Sequence, residues 1–308
     1  MKNKLDSLFF TRLFVPQAPQ SSPDRKTESE IQFAIPSTQS VCGMEIRMKL
    51  QQLLSYVRRA IDDYEMIDSG DKIAVGISGG KDSLTLLHAL VALRRFYPKP
   101  FTLCAITIDL GFGNLDLSKI EEMCQELQVE YVIIKTDIAK IVFDDRKESN
   151  PCSLCAKMRK GALNEAIKKM GCNKVAYAHH KDDVIETMML SLLFEGRFHT
   201  FSPVTYLDRM DVTVIRPLIY VEEADVIGFV NKNNLPVVKS PCPADGNTKR
   251  EYVHLLLQRL NQEHHGVKNR MFTAICTGNI NGFKEIPASA HIRTKSRKDD
   301  HGEKAQLS

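Results

Sequence analysis

A chain of 308 residues with 43% hydrophobic content is long enough to bury one substantial core, with room for a small second lobe, and is ordinary in apolar content for a globular protein. Its formal charge of +4, from 42 basic and 38 acidic residues, is too small to diagnose nucleic-acid binding by itself. No apolar stretch is long enough to cross a bilayer, and "SLFFTRLFVP" near the start is short, interrupted by Arg12 and unlike a signal peptide, so the expected location is cytoplasmic.

From Pro16 to Ser40 the chain is rich in Pro, Ser, Gln and charge, so residues 1–43 are expected to be a disordered leader. The folded domain is expected over 44–285. It opens with "MEIRMKLQQLLSYVRRAIDDYEMI", where apolar residues recur at helical spacing with basic residues between them. Strands and helices then alternate: "KIAVGI", a helix over 82–95, "FTLCAITID", a helix over 115–128, "EYVIIKT", a helix over 153–170, "KVAYAHH", and a helix over 182–194. Strands that are apolar almost throughout, each followed by a helix, predict an α/β fold with a parallel sheet covered on both faces. In such sheets ligands bind beyond the carboxyl ends of the strands. The tail 286–308 lacks an apolar face and is expected to be disordered.

"SGGKDS", residues 78–83, falls at the carboxyl end of the first strand. Gly79 and Gly80 permit close backbone approach, and the following helix directs unpaired N–H groups at an anion, so the loop reads as a phosphate site. It is not a Walker A loop, because Val75 stands where the first glycine should be and Asp82 where Ser or Thr should be. A glycine turn capped by Ser78 or Asp82 would explain the turn but not Lys81, Asp82 and Ser83 together.

"SGGKDS" after a strand resembles the PP-loop of the N-type ATP pyrophosphatases, which activate a substrate by adenylation. The resemblance implies the adenine nucleotide alpha hydrolase-like, Rossmann-like form of the sheet, with ATP as cofactor. Ser78, Gly79, Gly80 and Ser83 would hold the pyrophosphate end of ATP, Lys81 would offset its charge, and Asp82 would help place magnesium, Mg2+.

Eight cysteines in a reducing compartment point away from disulfides. Cys152 and Cys155, in "NPCSLCAKMRKGAL", have the C-x-x-C spacing that lets two thiolates turn toward one metal at the start of a helix, or else merely cap that helix. Cys242, between two prolines in "SPCPADG", is the best candidate for a third ligand. Three thiolates on a [4Fe-4S] cluster leave one iron open to sulfide, whereas structural zinc would want a fourth ligand, and no second C-x-x-C or H-x-x-x-H pair supplies one. Cys104, Cys124, Cys172 and Cys276 read as small buried apolar residues, and Cys42 lies in the leader.

"AHHKDDVIET" also ends a strand. Asp183, Glu186 and Thr187 share one helical face, and Asp183 is favoured for magnesium or proton handling, while Asp182 is as readily a cap. His179 is a candidate for the nucleotide pocket, and Asp109, closing the second strand, for the ribose or base; both have bland readings as a packed histidine and a loop cap. Arg159 and Lys160, one turn past Cys155, are candidate cations beside the reacting base or phosphate, and Arg216 either meets RNA or orients the last strand. Arg47, Lys49, Arg58 and Arg59, with Lys157, Lys168 and Lys169, are candidates to follow a phosphate backbone.

"SGGKDS", "CSLCAKMRKG", "AYAHHKDDVIET", "IRPL" and "PCPADG", in that order, resemble the tRNA 2-thiocytidine synthetase family over roughly 45–285. That resemblance assigns Cys152, Cys155 and Cys242 to the cluster and implies ATP, magnesium and a tRNA anticodon loop. It also implies a sulfur donor such as a cysteine desulfurase, and it admits a homodimer. Family members often carry a further cysteine where Asp245 stands here. The rivals are a lysidine synthetase, which needs no "CSLC"; a thiolase acting on uridine; and a nucleotide- or RNA-binding module without turnover.

Overall fold

The computed structural model describes residues 49–113, 115–146, 151–239, 241–242 and 249–278, all within one compact unit spanning 45–308. The expected leader and tail, Arg47, Cys42 and Asp245 lie outside the described residues.

The first helix, α1 (Leu50–Asp63), buries Leu53, Val57, Ala60 and Ile61 along one stripe, as the spacing requires. Its arginines are already engaged, Arg58 with Asp62 and Arg59 with Asp63, each at 3.4 Å. Then come β1 (Lys72–Gly76), α2 (Lys81–Arg94), β2 (Thr102–Asp109), α3 (Ser118–Glu126), β3 (Glu130–Lys135) and a π-helical turn over Lys140–Asp145. The chain continues through α4 (Pro151–Lys169), β4 (Lys174–Ala176), α5 (Lys181–Glu195), β5 (Val204–Leu207) and β6 (Val212–Ile215). It ends in α6 (Glu223–Asn233), α7 (Lys249–Glu263) and α8 (Val267–Thr277).

The six strands lie in the order β3-β2-β1-β4-β6-β5, with every neighbouring pair parallel except β5 and β6. The expected parallel sheet is therefore present with one antiparallel edge strand. The strand expected over 174–180 pairs in the sheet as β4 only to Ala176, because the chain leaves the sheet to place extended His180 as the cap of α5.

Along β1 and β2 successive side chains alternate between faces. Ile73, Val75, Leu103 and Ala105 join the larger core with α1, α2, α6 and α8, while Ala74, Cys104 and Ile106 meet Leu163, Ala166 and Ile167 of α4 on the other face. In that smaller core the sulfurs of Cys104 and Cys172 stand 3.3 Å apart, both buried. Chain order runs outward from β1 to β3 and then returns to β4 on β1's other side. That reversal opens a crevice beyond the carboxyl ends of β1 and β4, where both "SGGKDS" and "AHHKDD" emerge.

Candidate active site

The phosphate loop is fastened to itself before any ligand is considered. The Ser78 N–H donates to Ser83 Oγ at 3.2 Å, the Gly80 N–H donates to Ser78 Oγ at 3.3 Å, and the Ser83 hydroxyl donates to the Gly80 carbonyl at 2.9 Å. Gly79 takes φ +82°, a left-handed conformation that side chains resist. Its carbonyl accepts a 2.9 Å bond from the Val238 N–H, so the loop carries the segment that leads to Cys242. Gly80 caps α2, whose first-turn N–H groups have no carbonyl behind them and point into the crevice.

Ser78, Gly80, Asp82 and Ser83 form one end of a cleft of about 540 Å³, a volume suited to a nucleotide-sized ligand. Ile108, Asp109 and Phe112 continue the wall, as do Tyr177 and His179 after β4. Arg159 and Lys160 of α4 line it too, and Val238 and Pro241 close it. Of the residues singled out in the sequence, Ser78, Gly80, Asp82, Ser83, Asp109, His179 and Arg159 meet in this one cavity. The Asp109 carboxylate also accepts from the Gly111 N–H at 3.0 Å, so it caps its loop as well.

Asp82 is held unusually. Burial raises its pKa, opposed by the neighbouring His180 and Lys81, and its Oδ1 is buried without a hydrogen-bond partner among the described residues. A buried carboxylate oxygen without a donor is what a divalent cation with oxygen ligands would satisfy, so the donor set fits magnesium. His179 stays neutral: burial and then the Arg216 guanidinium push its pKa down to about 4. Its Nδ1 accepts from Arg216 Nε at 3.3 Å, and its ring lies 4.7 Å from that of Phe201. Arg216 donates in addition to the Ser202 carbonyl and Thr205 Oγ1, so it is a buried tie between β6 and the chain entering β5.

Lys81 and Asp183 are placed differently from expectation. The Lys81 ammonium is absent from the cleft wall and sits 3.0 Å from Glu223 Oε1 and 3.3 Å from Asp82 Oδ2. Asp183 is outside the wall too. Its Oδ2 accepts from the His180 N–H at 3.0 Å, capping α5, and its Oδ1 meets Arg250 at 3.3 Å. Arg250 also reaches Glu186 at 3.0 Å and Thr187 at 3.5 Å, so the expected shared face of Asp183, Glu186 and Thr187 is real but serves α7. Asp182 is likewise a structural tie, accepting from the Glu223 N–H at 2.7 Å and from Lys268 at 2.8 Å.

These contacts close into a ring. Lys81 meets Glu223, Glu223 faces His254 at 3.9 Å, and His254 bonds Glu186 at 2.8 Å. Glu186 holds Arg250, Arg250 holds Asp183, Asp183 faces His180 at 3.5 Å, and His180 faces Asp82 at 3.7 Å. Sequence reading missed Glu223, Arg250 and His254. No local motif marks them, since their partners lie on other helices.

Cys152 is exposed, and Cys155 and Cys242 are half-buried. Burial raises the Cys155 pKa, Arg159 lowers it, and both Cys242 and Cys152 are near enough to raise it again. All three thiols are thus electrostatic neighbours beside Ala156 and Pro241 of the cleft wall. Among the described residues no three His, Cys, Asp or Glu side chains converge to hold a single metal ion. A cubane cluster takes one thiolate per iron, so three neighbouring thiols suit it, whereas a structural zinc wants four ligands on one ion.

A family model described as a PP-loop domain matches residues 45–260. The tRNA-cytidine(32) 2-sulfurtransferase of Geobacter sulfurreducens is 38% identical over 236 residues, covering 76% of this chain and 91% of that protein. The one from Citrifermentans bemidjiense is 40% identical over 222 residues, covering 71% and 87%. Among solved structures, the U34-tRNA thiolase NcsA from Methanococcus maripaludis with its [4Fe-4S] cluster superposes with a TM-score of 0.59 at 25% identity, covering 72% of this chain and 77% of that one.

Proposed function

The chain belongs to the PP-loop family and, within it, to the tRNA-cytidine(32) 2-sulfurtransferases, and from that membership we propose how its residues carry the reaction. It is an ATP-dependent transferase that replaces the C2 oxygen of an anticodon-loop cytidine with sulfur. One observation carries the reading: a single cleft runs from the "SGGKDS" loop to Arg159, Ala156 and Pro241, beside the three cysteines. Activation and sulfur transfer then occur without the base leaving the cavity.

In this reading the cytosine C2 oxygen attacks the ATP α-phosphorus and pyrophosphate departs into the loop, where Ser78, Gly80, Ser83 and the α2 N-terminus hold it. Asp82 would hold magnesium, which spreads the charge of the departing phosphates. Asp109 and His179 line the nucleotide end, and neutral His179 presents no charge to the adenosine. Arg159 meets the adenylated base from the cysteine side, and loss of AMP follows sulfur attack at C2. Cys152, Cys155 and Cys242 would hold the [4Fe-4S] cluster, which supplies an iron with no protein ligand where sulfide can bind. Asp183 acts indirectly, by fixing the start of α5.

The base must leave its stack to reach ATP, which suits the single-stranded anticodon loop. The working domain is taken as 44–285, and a sulfur donor such as a cysteine desulfurase as the origin of the sulfide. The cytoplasm is the proposed location, since ATP and tRNA are at hand there.

The test is mass spectrometry of tRNA nucleosides from a deletion strain complemented with the wild-type gene or with Cys242→Ser. The wild type should restore 2-thiocytidine and the variant should not. Restoration of 2-thiouridine instead would make the protein a uridine thiolase, and full activity of Cys242→Ser would remove that residue from the cluster.

A further inference from the structure

We propose that Glu223 is a positioning residue that competes with the polyphosphate of ATP for the Lys81 ammonium, yielding it when ATP binds and reclaiming it as pyrophosphate leaves. The proposal rests on the reading of "SGGKDS" as the pyrophosphate loop. A lysine expected to offset phosphate charge has its ammonium 3.3 Å from Oδ2 of the wall residue Asp82 and 3.0 Å from Glu223 Oε1, its shortest ionic contact among the described residues.

Glu223 is anchored through its backbone. The glutamate stands in the first turn of α6, its N–H bonded to Asp182 Oδ2 at 2.7 Å, and Asp182 is itself pinned by Lys268 at 2.8 Å. Its second oxygen faces His254 at 3.9 Å. Lysine, by contrast, is a point charge on a flexible four-carbon stem. One mobile cation therefore lies between a carboxylate that is not part of the cleft wall and the place where a polyanion would sit inside the cleft. The two anions compete, so Glu223 weakens phosphate binding and hastens product departure.

This competition has a signature that a merely structural residue lacks. Glu223→Gln keeps the size and an acceptor for Lys81 but removes the charge. Full-length protein purified without oxygen should then bind magnesium pyrophosphate about three- to fivefold more tightly by calorimetry, the scale of a partly exposed ion pair. The KM for ATP should fall and kcat should fall with it, because pyrophosphate is retained. A structural lesion moves these the other way, raising the dissociation constant and KM. Glu223→Asp, which withdraws the carboxylate by one methylene, should shift affinity in the same direction by less, and it serves if the glutamine variant melts early.

Lys81→Met should weaken pyrophosphate binding, and adding Glu223→Gln to it should change nothing further. Unchanged or weaker binding by both Glu223 variants, with Lys81→Met weakened, would overturn the handover while leaving the loop's role intact. Equal pyrophosphate binding by wild type and Lys81→Met would remove the loop reading and the proposal together.

Discussion

The two ends of the sheet treat buried charge in opposite ways. At the amino ends of β1 and β4, Lys174 is buried with its ammonium 2.8 Å from Asp71, 3.0 Å from Asp68 and 3.0 Å from the Met66 carbonyl. The Asn173 amide donates to the remaining Asp71 oxygen at 2.7 Å. At the carboxyl ends, Asp82 Oδ1 and His180 Nδ1 are buried with no hydrogen-bond partner among the described residues. Burying a polar group without a partner costs free energy, so a fold matches its charges wherever stability alone is at stake. At this end Asp182 is paired with Lys268, and it is Asp82, on the cleft wall, whose Oδ1 is left unmatched among the described residues.

Mutation should separate the ends cleanly. Lys174→Met leaves Asp71 buried without its cation, which should destabilise the protein by about 3–5 kcal/mol and lower the melting temperature by about 10 °C. ATP affinity per folded molecule should stay the same. A calorimetric melt paired with nucleotide titration would check both, and an intact melting temperature would erase the contrast. Asp82→Asn should do the reverse: pyrophosphate release falls about a hundredfold, as for loss of one group that meets developing charge. The melting temperature should hold or rise, because a carboxylate with a raised pKa has been replaced by a neutral amide.

The smallest effect separates the ends by pH. The His179 pKa is lowered from 6.5 to about 4, so the fold prefers the neutral ring. Its contribution is complete above the unfolded value and is lost as pH falls from 6.5 toward about 4. At the other end Lys174 and Lys99 hold Asp68 below its ordinary 3.8, so that contribution fades only at lower pH. Urea melts of wild type and His179→Gln should therefore converge between neutral pH and about 4, while Asp68→Asn should keep a constant offset until the solution is more acid. Parallel curves for His179→Gln would sink this assignment.

The cleft was legible where its residues are consecutive. "SGGKDS" carries its own turn, cap and charge within six positions, and the apolar run before it fixes which end of the strand it occupies. The rule that ligands sit beyond strand carboxyl ends pointed to Asp109 and His179, and both line the cleft. Spacing also showed that Asp183, Glu186 and Thr187 share a face, but it is silent on which helix that face meets. Arg250 answers only because Val253 and Leu257 anchor α7 in the core, a tertiary fact with no local signal. The antiparallel β5 was missed for a related reason. It has four residues, half-buried except for exposed Tyr206, and only pairing with β6 makes it a strand.

The bond from Val238 to the Gly79 carbonyl limits how this protein's parts can be exchanged. A methyl group at position 79 would stand 3.3 Å from the Val238 Cβ, and Pro241 and Cys242 follow within four residues. The loop and the cysteine segment are therefore not separate modules. A graft of "SGGKDS" from a PP-loop protein of another chemistry would arrive without the segment that Val238 anchors, and a graft of that segment would arrive without its seat. Descent with a new substrate must carry residues 78–83 and 235–242 together.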